Sequence, residues 1–454
     1  MSLLARWMGK HSFPQGIHVP EYKEATEDSK IRRLAFPPEM FVPLSQHTGA
    51  PAKPIVHEKQ EVVRGEPIAE ADGFMSVPMH APATGVVEQI ELARDARGLM
   101  SPAIYIRPYP SSSQEVLYGH DIDIDLLSRE ELIQAVQATG VVGLGGAAFP
   151  THVKLSVPEG KNCDTVIANG CECEPYLTTD HRVMVEYPKA VFKGLEIVMK
   201  AMGAKEGIVG IEDNKPEAIK ALEANVPEGK NIRVGVCETK YPQGAEKMLI
   251  KSLLDREVPS GGLPIDCGVG VFNVATLAQI GELLPRGQGL VERVITVTGP
   301  GVTKPGNYIA PLGTPLRYVL DFCGYRGDEV SQVILGGPMM GASASSLEMP
   351  IVKGITGILV LTKAGLPTIN DDSALPCIKC GTCVHSCPMV LNPSQLGLLA
   401  QYTEYEAMAE QHNLMDCFEC GCCTYVCPSG IPLVQYFRIA KSIVRQRKAE
   451  AKKQ

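Results

Sequence analysis

The last fifth of the chain contains two cysteine runs with the same spacing, C-x-x-C-x-x-C-x-x-x-C-P, and no other stretch restricts the fold so strongly. The runs consist of Cys377, Cys380, Cys383, Cys387 and Pro388, and of Cys417, Cys420, Cys423, Cys427 and Pro428. A tight turn aims three sulfurs at one site, while the fourth begins a helix that points elsewhere. Proline suits the next position because it has no N–H group in need of a partner.

This spacing is typical of bacterial ferredoxins with two [4Fe–4S] clusters, in which the last cysteine of each run binds the other cluster. The predicted ligands of the first cluster are Cys377, Cys380, Cys383 and Cys427, and those of the second are Cys387, Cys417, Cys420 and Cys423. Structural zinc is the alternative, because C-x-x-C pairs also bind zinc; two complete sets of four cysteines disfavour it. Cys422 lies inside the second run without changing its spacing, and we predict that it is not a ligand.

Composition limits the class of protein. A chain of 454 residues indicates about three domains or more. The sequence has neither a run of 18 apolar residues nor the apolar segment of a secretory signal, so we expect no transmembrane span. Eight of the fifteen cysteines are assigned to clusters, which favours a reducing compartment, and a net charge of −8 disfavours nucleic acid as a partner.

Changes in pattern divide the chain into five segments. A lead segment (1–35) has no clear period, whereas 36–115 consists of short apolar runs broken by Gly and Pro and predicts a small β domain. Strands and helices alternate over 120–290, which predicts a parallel sheet covered by helices. Residues 291–362 return to β structure around one short helix, as in a β-grasp unit, and 367–454 form the cluster domain. A linker is predicted over 367–376.

The α/β segment has readable helix and strand signals. Ser128 and Glu131 form a capping box ahead of a helix that Gly140 ends. The remaining predicted strands lie at 165–168, 208–211 and 232–236, and the helices at 189–203, 216–225 and 244–254. A joining helical stretch is also predicted over 394–415, between the cysteine runs.

Four glycines fall within seven residues, at Gly140, Gly143, Gly145 and Gly146. Such a stretch lets the backbone approach a phosphate and donate N–H groups to it. It is not a Rossmann fingerprint, since it follows a helix and lacks G-x-G-x-x-G; a flexible loop is the alternative. The sequence N-G-C-E-C-E-P (169–175) follows the strand at 165–168, where ligands of parallel sheets bind.

Together these stretches resemble the NADH- and FMN-binding subunit of respiratory complex I, whose motifs read G-x-G-G-A-G-F-P-T-G-x-K and N-A-D-E-S-E-P. The resemblance implies noncovalent FMN, with NAD(H) as substrate, and a cation at Lys154 for the FMN phosphate or the reduced flavin. It also implies that Glu172 and Glu246 shape the nucleotide cleft. The implied cofactor-binding residues are Gly143, Gly145, Gly146, Lys154, Asn169, Glu172, Glu246 and Asn273.

The chain departs from these motifs at two positions. Cys171 replaces the aspartate of the second motif, and Ala245 replaces a glutamate of the family's G-E-E. Compared with that family, the resemblance implies different hydrogen bonding around the flavin at Cys171 and a change in nucleotide affinity or nucleotide choice at Ala245. Phe272 to Thr276 (F-N-V-A-T) resembles the family's N-N-V-E-T and keeps part of it.

The order of modules resembles the C subunits of Rnf complexes over nearly the whole chain. The segment M-H-A-P-A-T-G-V-V-E-Q-I resembles part of a barrel-sandwich domain, but the hairpin tip near 71–74 has no lysine to modify. The resemblance implies a peripheral NADH/FMN subunit, on the cytoplasmic face of the membrane, of an ion-translocating ferredoxin:NAD oxidoreductase. It would pass single electrons through two clusters to partner subunits and thereby indirectly to ferredoxin. The S/T-G-A-T motif of covalent flavin attachment is absent from the sequence.

Two other functions remain open at this point. A soluble NADH-dependent corrinoid reductase has similar modules, but in that group the cluster motifs precede the β-grasp segment. A non-catalytic electron relay with a decayed flavin site is the second alternative, and the changes at Cys171 and Ala245 are its support. The flavin content of the purified chain separates the relay from both enzymes.

Overall fold

The computed structural model describes residues 11–94, 98–365 and 374–451, so most of the predicted linker (367–376) lies outside the described residues. The N-terminal β domain contains two antiparallel sheets, ordered β2-β8-β7-β4 and β3-β5-β6. The first strands are β1 (Arg32–Arg33), β2 (Met40–Pro43), β3 (Lys53–Pro54), β4 (Glu61–Val62), β5 (Pro67–Glu70), β6 (Met79–His80), β7 (Gly85–Arg94) and β8 (Met100–Pro108).

The α/β segment forms the predicted parallel sheet, with strand order β11-β10-β9-β12. Its first helix has the predicted capping box: the Ser128 hydroxyl accepts from the Glu131 N–H group, and the Glu131 carboxylate accepts from Ser128. The elements are α1 (Arg129–Ala138), α2 (Thr151–Leu155), β9 (Thr165–Gly170), α3 (Thr179–Glu186), α4 (Pro188–Met202), β10 (Glu206–Glu212), α5 (Pro216–Glu223), β11 (Ile232–Cys237), α6 (Glu246–Leu254), β12 (Val269–Asn273) and α7 (Val274–Leu283).

Helices α4 and α7 cross in direct backbone contact. A Cβ atom on Gly194 of α4 would lie 1.9 Å from the carbonyl oxygen of Leu277, and one on Gly281 of α7 would lie 2.2 Å from that of Ala190. Only glycine fits at either position. The contact fixes α7, which starts directly at the end of β12.

The β-grasp segment forms a mixed six-stranded sheet with the order β1-β14-β13-β17-β15-β16. The lead segment contributes β1, which pairs in parallel with β14. Earlier in the same segment, isolated bridges join His11 to Cys237 and Ile17 to Tyr241 in the α/β domain. The new elements are β13 (Glu292–Thr298), β14 (Gly306–Pro311), α8 (Leu316–Phe322), β15 (Val330–Leu335), β16 (Ala342–Ser343) and β17 (Gly357–Thr362).

The cysteine-rich domain is helical around an apolar core that includes Leu396, Met408 and Phe437. The stretch between the two cysteine runs is helical, as predicted. Among the described helices, none is long and apolar enough to cross a membrane. The helices are α9 (Thr382–His385), α10 (Pro393–Gln401), α11 (Tyr405–Glu410), α12 (Cys422–Tyr425) and α13 (Leu433–Ala451).

Candidate functional site

The glycine-rich loop between α1 and α2 is closed on itself and presents bare backbone to solvent. The Gly143 N–H group donates to the Phe149 carbonyl (2.8 Å), and the Ala148 N–H group donates to the Gly143 carbonyl (3.1 Å). Gly146 has a φ of +110°, with no atom within 4 Å of the place a Cβ would take. In the described part of the chain, the N–H groups of residues 145–147 donate to no protein acceptor. Such a loop suits a phosphate group.

The loop lies at the carboxyl ends of the parallel strands, where the sequence predicted a ligand. Asn169, the last residue but one of β9, and Asn273, the last residue of β12, are paired in register. A Cβ on Gly145 would lie 3.4 Å from the Cβ of Asn273. The Asn169 amide donates to the Gly244 carbonyl (2.8 Å), which fixes the loop ahead of α6 at the same edge.

Asn273 also starts α7. Its side-chain oxygen accepts from the N–H groups of Ala275 (3.0 Å) and Thr276 (3.2 Å), an N-cap arrangement, and its amide donates to Asp180 (2.6 Å). The Thr276 hydroxyl in turn accepts from the Leu144 N–H group (2.8 Å). Asp180 and Thr276 were not singled out as site residues from the sequence. Thr276 lies in the same motif as the predicted Asn273, but nothing in the pattern indicated Asp180.

Lys154 and Glu246 face each other on the open side of the cleft. The Lys154 ammonium pairs with the Glu246 carboxylate, and it lies 5.4 Å from the centre of the Phe272 ring. Both side chains are partly exposed, 31% for Lys154 and 42% for Glu246. Because this ion pair is open to solvent, it is weak, and the ammonium remains available to an incoming anion.

Glu172 is placed differently from a cleft-lining residue. It is buried, and its carboxylate accepts from the N–H groups of Asp180 (2.9 Å) and His181 (3.2 Å) at the start of α3. Its carbonyl accepts from the buried ammonium of Lys23. Burial and the nearby Glu172 carboxylate raise the pKa of Asp180 to about 7. Glu172 therefore anchors the segment that holds Asp180 against Asn273.

These residues fit FMN. Free N–H groups at 145–147 and the ammonium of Lys154 suit its phosphate. The Thr151 hydroxyl, only 2% exposed, has no hydrogen-bond partner among the described residues, as expected of a group that awaits a ligand. Cys171 is buried, and burial, with Cys237 adjacent, raises its pKa, which disfavours a reactive thiolate.

The structure brings the cluster cysteines into two groups. The pKa of Cys383 is raised by burial and by the neighbouring thiols of Cys380 and Cys427. Burial raises the pKa of Cys417 to about 11, with further contributions from Cys420 and Cys387. Cys427 thus lies beside the first run and Cys387 beside the second, the crossed arrangement that the spacing predicts.

Hydrogen-bond donors already point at the cluster sulfurs. The N–H groups of Lys379 and Glu419 donate to Cys377 and Cys417, each at 3.4 Å, and the Thr382 hydroxyl lies 3.4 Å from Cys380. No three Cys, His, Asp or Glu side chains in the described ranges are arranged to hold one metal ion. The four thiolates of a cubane bind four different irons, so they need not converge in that way. The donor set and its hydrogen bonds fit iron–sulfur clusters.

The second cysteine run is buried against the α/β and β-grasp domains. The Tyr241 hydroxyl donates to the Cys420 carbonyl (2.6 Å), and a Cβ on Gly421 would lie 3.1 Å from the Met339 carbonyl oxygen. Glu174 of the second motif accepts from the N–H groups of Met339 (3.1 Å) and Met340 (2.8 Å). In the first run, by contrast, Cys377 and Cys380 are exposed.

Models of known protein families match four parts of the chain. They are an RnfC barrel sandwich hybrid domain (11–109), a Nuo51 FMN-binding domain (136–282), an SLBB domain (294–343) and a 4Fe-4S dicluster domain (373–431). The predicted module order and fold classes are thereby confirmed, as are FMN and two [4Fe–4S] clusters as the cofactors. The domain boundaries and the individual site residues stay predictions.

Solved structures show the same fold at low sequence identity. One chain of an NAD⁺-reducing [NiFe]-hydrogenase in its air-oxidised state is 20% identical, with a TM-score of 0.51. The match covers 70% of this chain and 67% of that one.

Curated relatives match almost end to end. The C subunit of the proton-translocating ferredoxin:NAD⁺ oxidoreductase complex of Clostridium ljungdahlii is 44% identical over 433 residues, 95% of this chain and 93% of that protein. The C subunit of the Na⁺-translocating complex of Acetobacterium woodii is 42% identical, and the match covers 97% of this chain and 99% of that protein. The C subunit of the ion-translocating oxidoreductase complex of Rhodobacter capsulatus is 40% identical, and the match covers 96% of this chain and 83% of that protein. The chain therefore belongs to the family of C subunits of ion-translocating ferredoxin:NAD⁺ oxidoreductase complexes, the Rnf family.

Proposed function

We propose that this chain is the NADH- and FMN-binding iron–sulfur subunit of an Rnf-type complex, where it exchanges a hydride with NAD(H) and single electrons with partner subunits. When bound, FMN supplies the conversion between two-electron and one-electron transfer. One observation carries the proposal. A cleft suited to FMN and a cysteine run suited to a cluster are held in one structure, through Tyr241, Glu174 and the Met339 loop.

The placement of the two runs supports an order for the clusters. Cys420 of the second run packs with Ile17 and Tyr241 on the side of the α/β domain, whereas Cys377 and Cys380 of the first run are exposed. We infer that the second cluster exchanges electrons with the flavin side and the first with a partner. Exposed Leu375 and Ile378 flank Cys377 and give that partner an apolar surface.

We further propose that the chain sits on the cytoplasmic face of the membrane as a peripheral subunit. NAD(H) and ferredoxin are cytoplasmic reactants, and the cysteine content suits a reducing compartment. Attachment then takes place through contacts with other subunits.

The purified, cluster-loaded chain tests this function. We expect brisk NADH oxidation with ferricyanide, which accepts electrons from the flavin or a cluster, and no reduction of ferredoxin without the other subunits. Efficient reduction of cob(II)alamin by the chain alone would favour the corrinoid reductase instead. A chain that takes up no FMN, or oxidises no NADH when loaded with FMN, would be a relay. The FMN should be released by acid denaturation, because no attachment motif is present.

A pair of matched glycines tests the cluster order. Gly421 and Gly381 hold equivalent places in the two runs, with φ values of +88° and +78°, so alanine is strained at both. Only at Gly421 does the new methyl group meet the Met339 carbonyl, since the nearest atom at Gly381 is 4.0 Å away. Gly421→Ala should therefore slow NADH-driven cluster reduction, measured by stopped-flow absorbance, more than Gly381→Ala does. Equal rates in the two variants would contradict the inferred order.

A further inference from the structure

Two buried cations of the β-grasp domain bind backbone carbonyl groups of the glycine-rich stretch. Lys353 is 0% exposed, and its ammonium donates to the carbonyls of Gly140 (2.7 Å) and Pro78 (3.0 Å). Arg293 is 1% exposed, and its guanidinium donates to the carbonyls of Leu144 (3.1 Å) and Lys353. Both ends of the segment 140–144 are thus fixed by positive charges from another domain.

Lys353 has no carboxylate partner among the described residues. Its acceptors are neutral carbonyl groups, and burial alone lowers its pKa to about 7. Lys215, another buried lysine, differs because the Glu212 carboxylate lies 3.1 Å from its ammonium and raises its pKa. A buried charge without a counter-ion is strongly destabilising. An anion that is bound nearby would remove that penalty.

The place for such an anion is the glycine loop. A Cβ on Gly354, the residue after Lys353, would lie 3.2 Å from the Cβ of Ala148 and 3.5 Å from the Gly146 carbonyl oxygen. The backbone of Lys353 is therefore next to a residue that contacts the loop whose N–H groups at 145–147 are free, and its ammonium binds the Gly140 carbonyl at the start of the same stretch. We propose that Lys353 is a positioning residue for FMN: its buried charge attracts the flavin phosphate to the glycine loop, so the β-grasp domain takes part in flavin binding. The ligand in this inference rests on the proposed function.

The charge on Lys353 should make FMN binding depend on pH. Bound phosphate favours the ammonium form, so FMN affinity should fall as the pH rises above about 7 and Lys353 loses its proton. The nearby histidines stay neutral in this range, because burial lowers the pKa of His47 to about 4 and of His80 to about 3 and also lowers that of His152. Arg293 keeps its charge, since burial lowers its pKa only to about 10.

Two buried carboxyl groups also titrate in this window. Burial raises the pKa of Glu174 to about 7, but Glu174 binds the Met339 loop rather than the glycine stretch. Burial also raises the pKa of Asp180 to about 7, and the ionisation of Asp180 would repel a phosphate as the pH rises. Asp180→Asn removes that contribution and leaves Lys353 in place. The phosphate of FMN titrates near pH 6, so measurements between pH 7 and 9 avoid it.

The test is the dissociation constant of FMN for the full chain, from quenching of flavin fluorescence between pH 7 and 9. Riboflavin, which lacks the phosphate, serves as the second ligand. Lys353→Met should weaken FMN binding at pH 7 by about tenfold or more, the equivalent of one pKa unit of coupling. The affinity for riboflavin should stay unchanged. Lys353→Met should also flatten the pH dependence of FMN affinity. Asp180→Asn should keep part of that dependence, because Lys353 is still present. Thermal stability without FMN should not fall, because an apolar side chain replaces an uncompensated buried charge.

Each alternative has its own result. Wild-type FMN affinity in Lys353→Met, or an equal loss of affinity for riboflavin, would overturn the proposal. Lys353 would then serve only to hold the domains together. If that variant fails to fold, Lys353→Gln decides the matter, since its amide can still donate to the Gly140 carbonyl without a charge. Wild-type affinity in Lys353→Gln would also overturn the proposal. Failure of the wild-type chain to bind FMN at any pH would instead refute the proposed function.

Discussion

Cys427→Ser should lower the iron content of the anaerobically purified chain from about eight to about four atoms. The cluster lost should be the one whose other ligands belong to the first run, because Cys427 lies beside Cys383 rather than with the rest of its own run. Electron paramagnetic resonance of the reduced protein, where two nearby clusters give an interaction signal, should show one isolated cluster.

Cys422→Ser is the matched control for this change. Cys422 is fully buried in the same run but is not predicted to be a ligand, so the variant should keep about eight irons. Crossed ligation would be wrong if Cys427→Ser lost the cluster of Cys417, Cys420 and Cys423. If Cys422→Ser lost half of its iron, the ligand assignment of the second run would be wrong.

Gly281→Ala should be among the most destabilising single-methyl changes in the chain. Its methyl group would lie 2.2 Å from the Ala190 carbonyl, so α4 and α7 must separate. Overpacking of this kind costs about 3 kcal/mol or more, against a gain of about 1 kcal/mol in helix propensity. Because α7 begins at Asn273, the shift should also disturb the cleft and lower FMN retention.

Thermal unfolding measures the loss of stability, and the release of flavin during unfolding measures the loss of FMN retention. Gly160→Ala is the control, since nothing lies within 4 Å of its Cβ position, although its φ of +78° makes alanine mildly unfavourable. A Gly281→Ala chain with the melting temperature of the control would show that the two helices can separate at little cost.

Local signals in the sequence account for much of this structure. The capping box at Ser128, the alternation of strands and helices and the spacing of the cysteines each depend on residues close together in the chain. The prediction missed β12 and α7, because Asn273 both ends a strand and starts a helix, which leaves no turn residue between them. The polar run at 179–186 forms α3, which its weak apolar pattern did not reveal.

The candidate site was predictable only in part, for the same reason. Asn169 and Asn273 lie where the sheet topology places them, at strand ends. The engagement of Glu172 with α3, and the contact of Lys353 and Arg293 with the glycine stretch, depend on how separate domains pack. Lys353 and Gly140 are 213 residues apart in the chain. No pattern within a short window contains that information.

The lead segment has a consequence for how the protein is made. Residues 11–17 pair with the end of β11 and the turn after it, and β1 pairs with β14, so these residues leave the ribosome well before partners that lie up to 276 residues further along. At about 5–20 residues per second, those partners follow only after some tens of seconds. The lead segment is therefore made first but reaches its final pairing only after the α/β and β-grasp domains have been translated. The final structure closes only when the β-grasp sheet has been translated, and the long-range contacts make this last step slow.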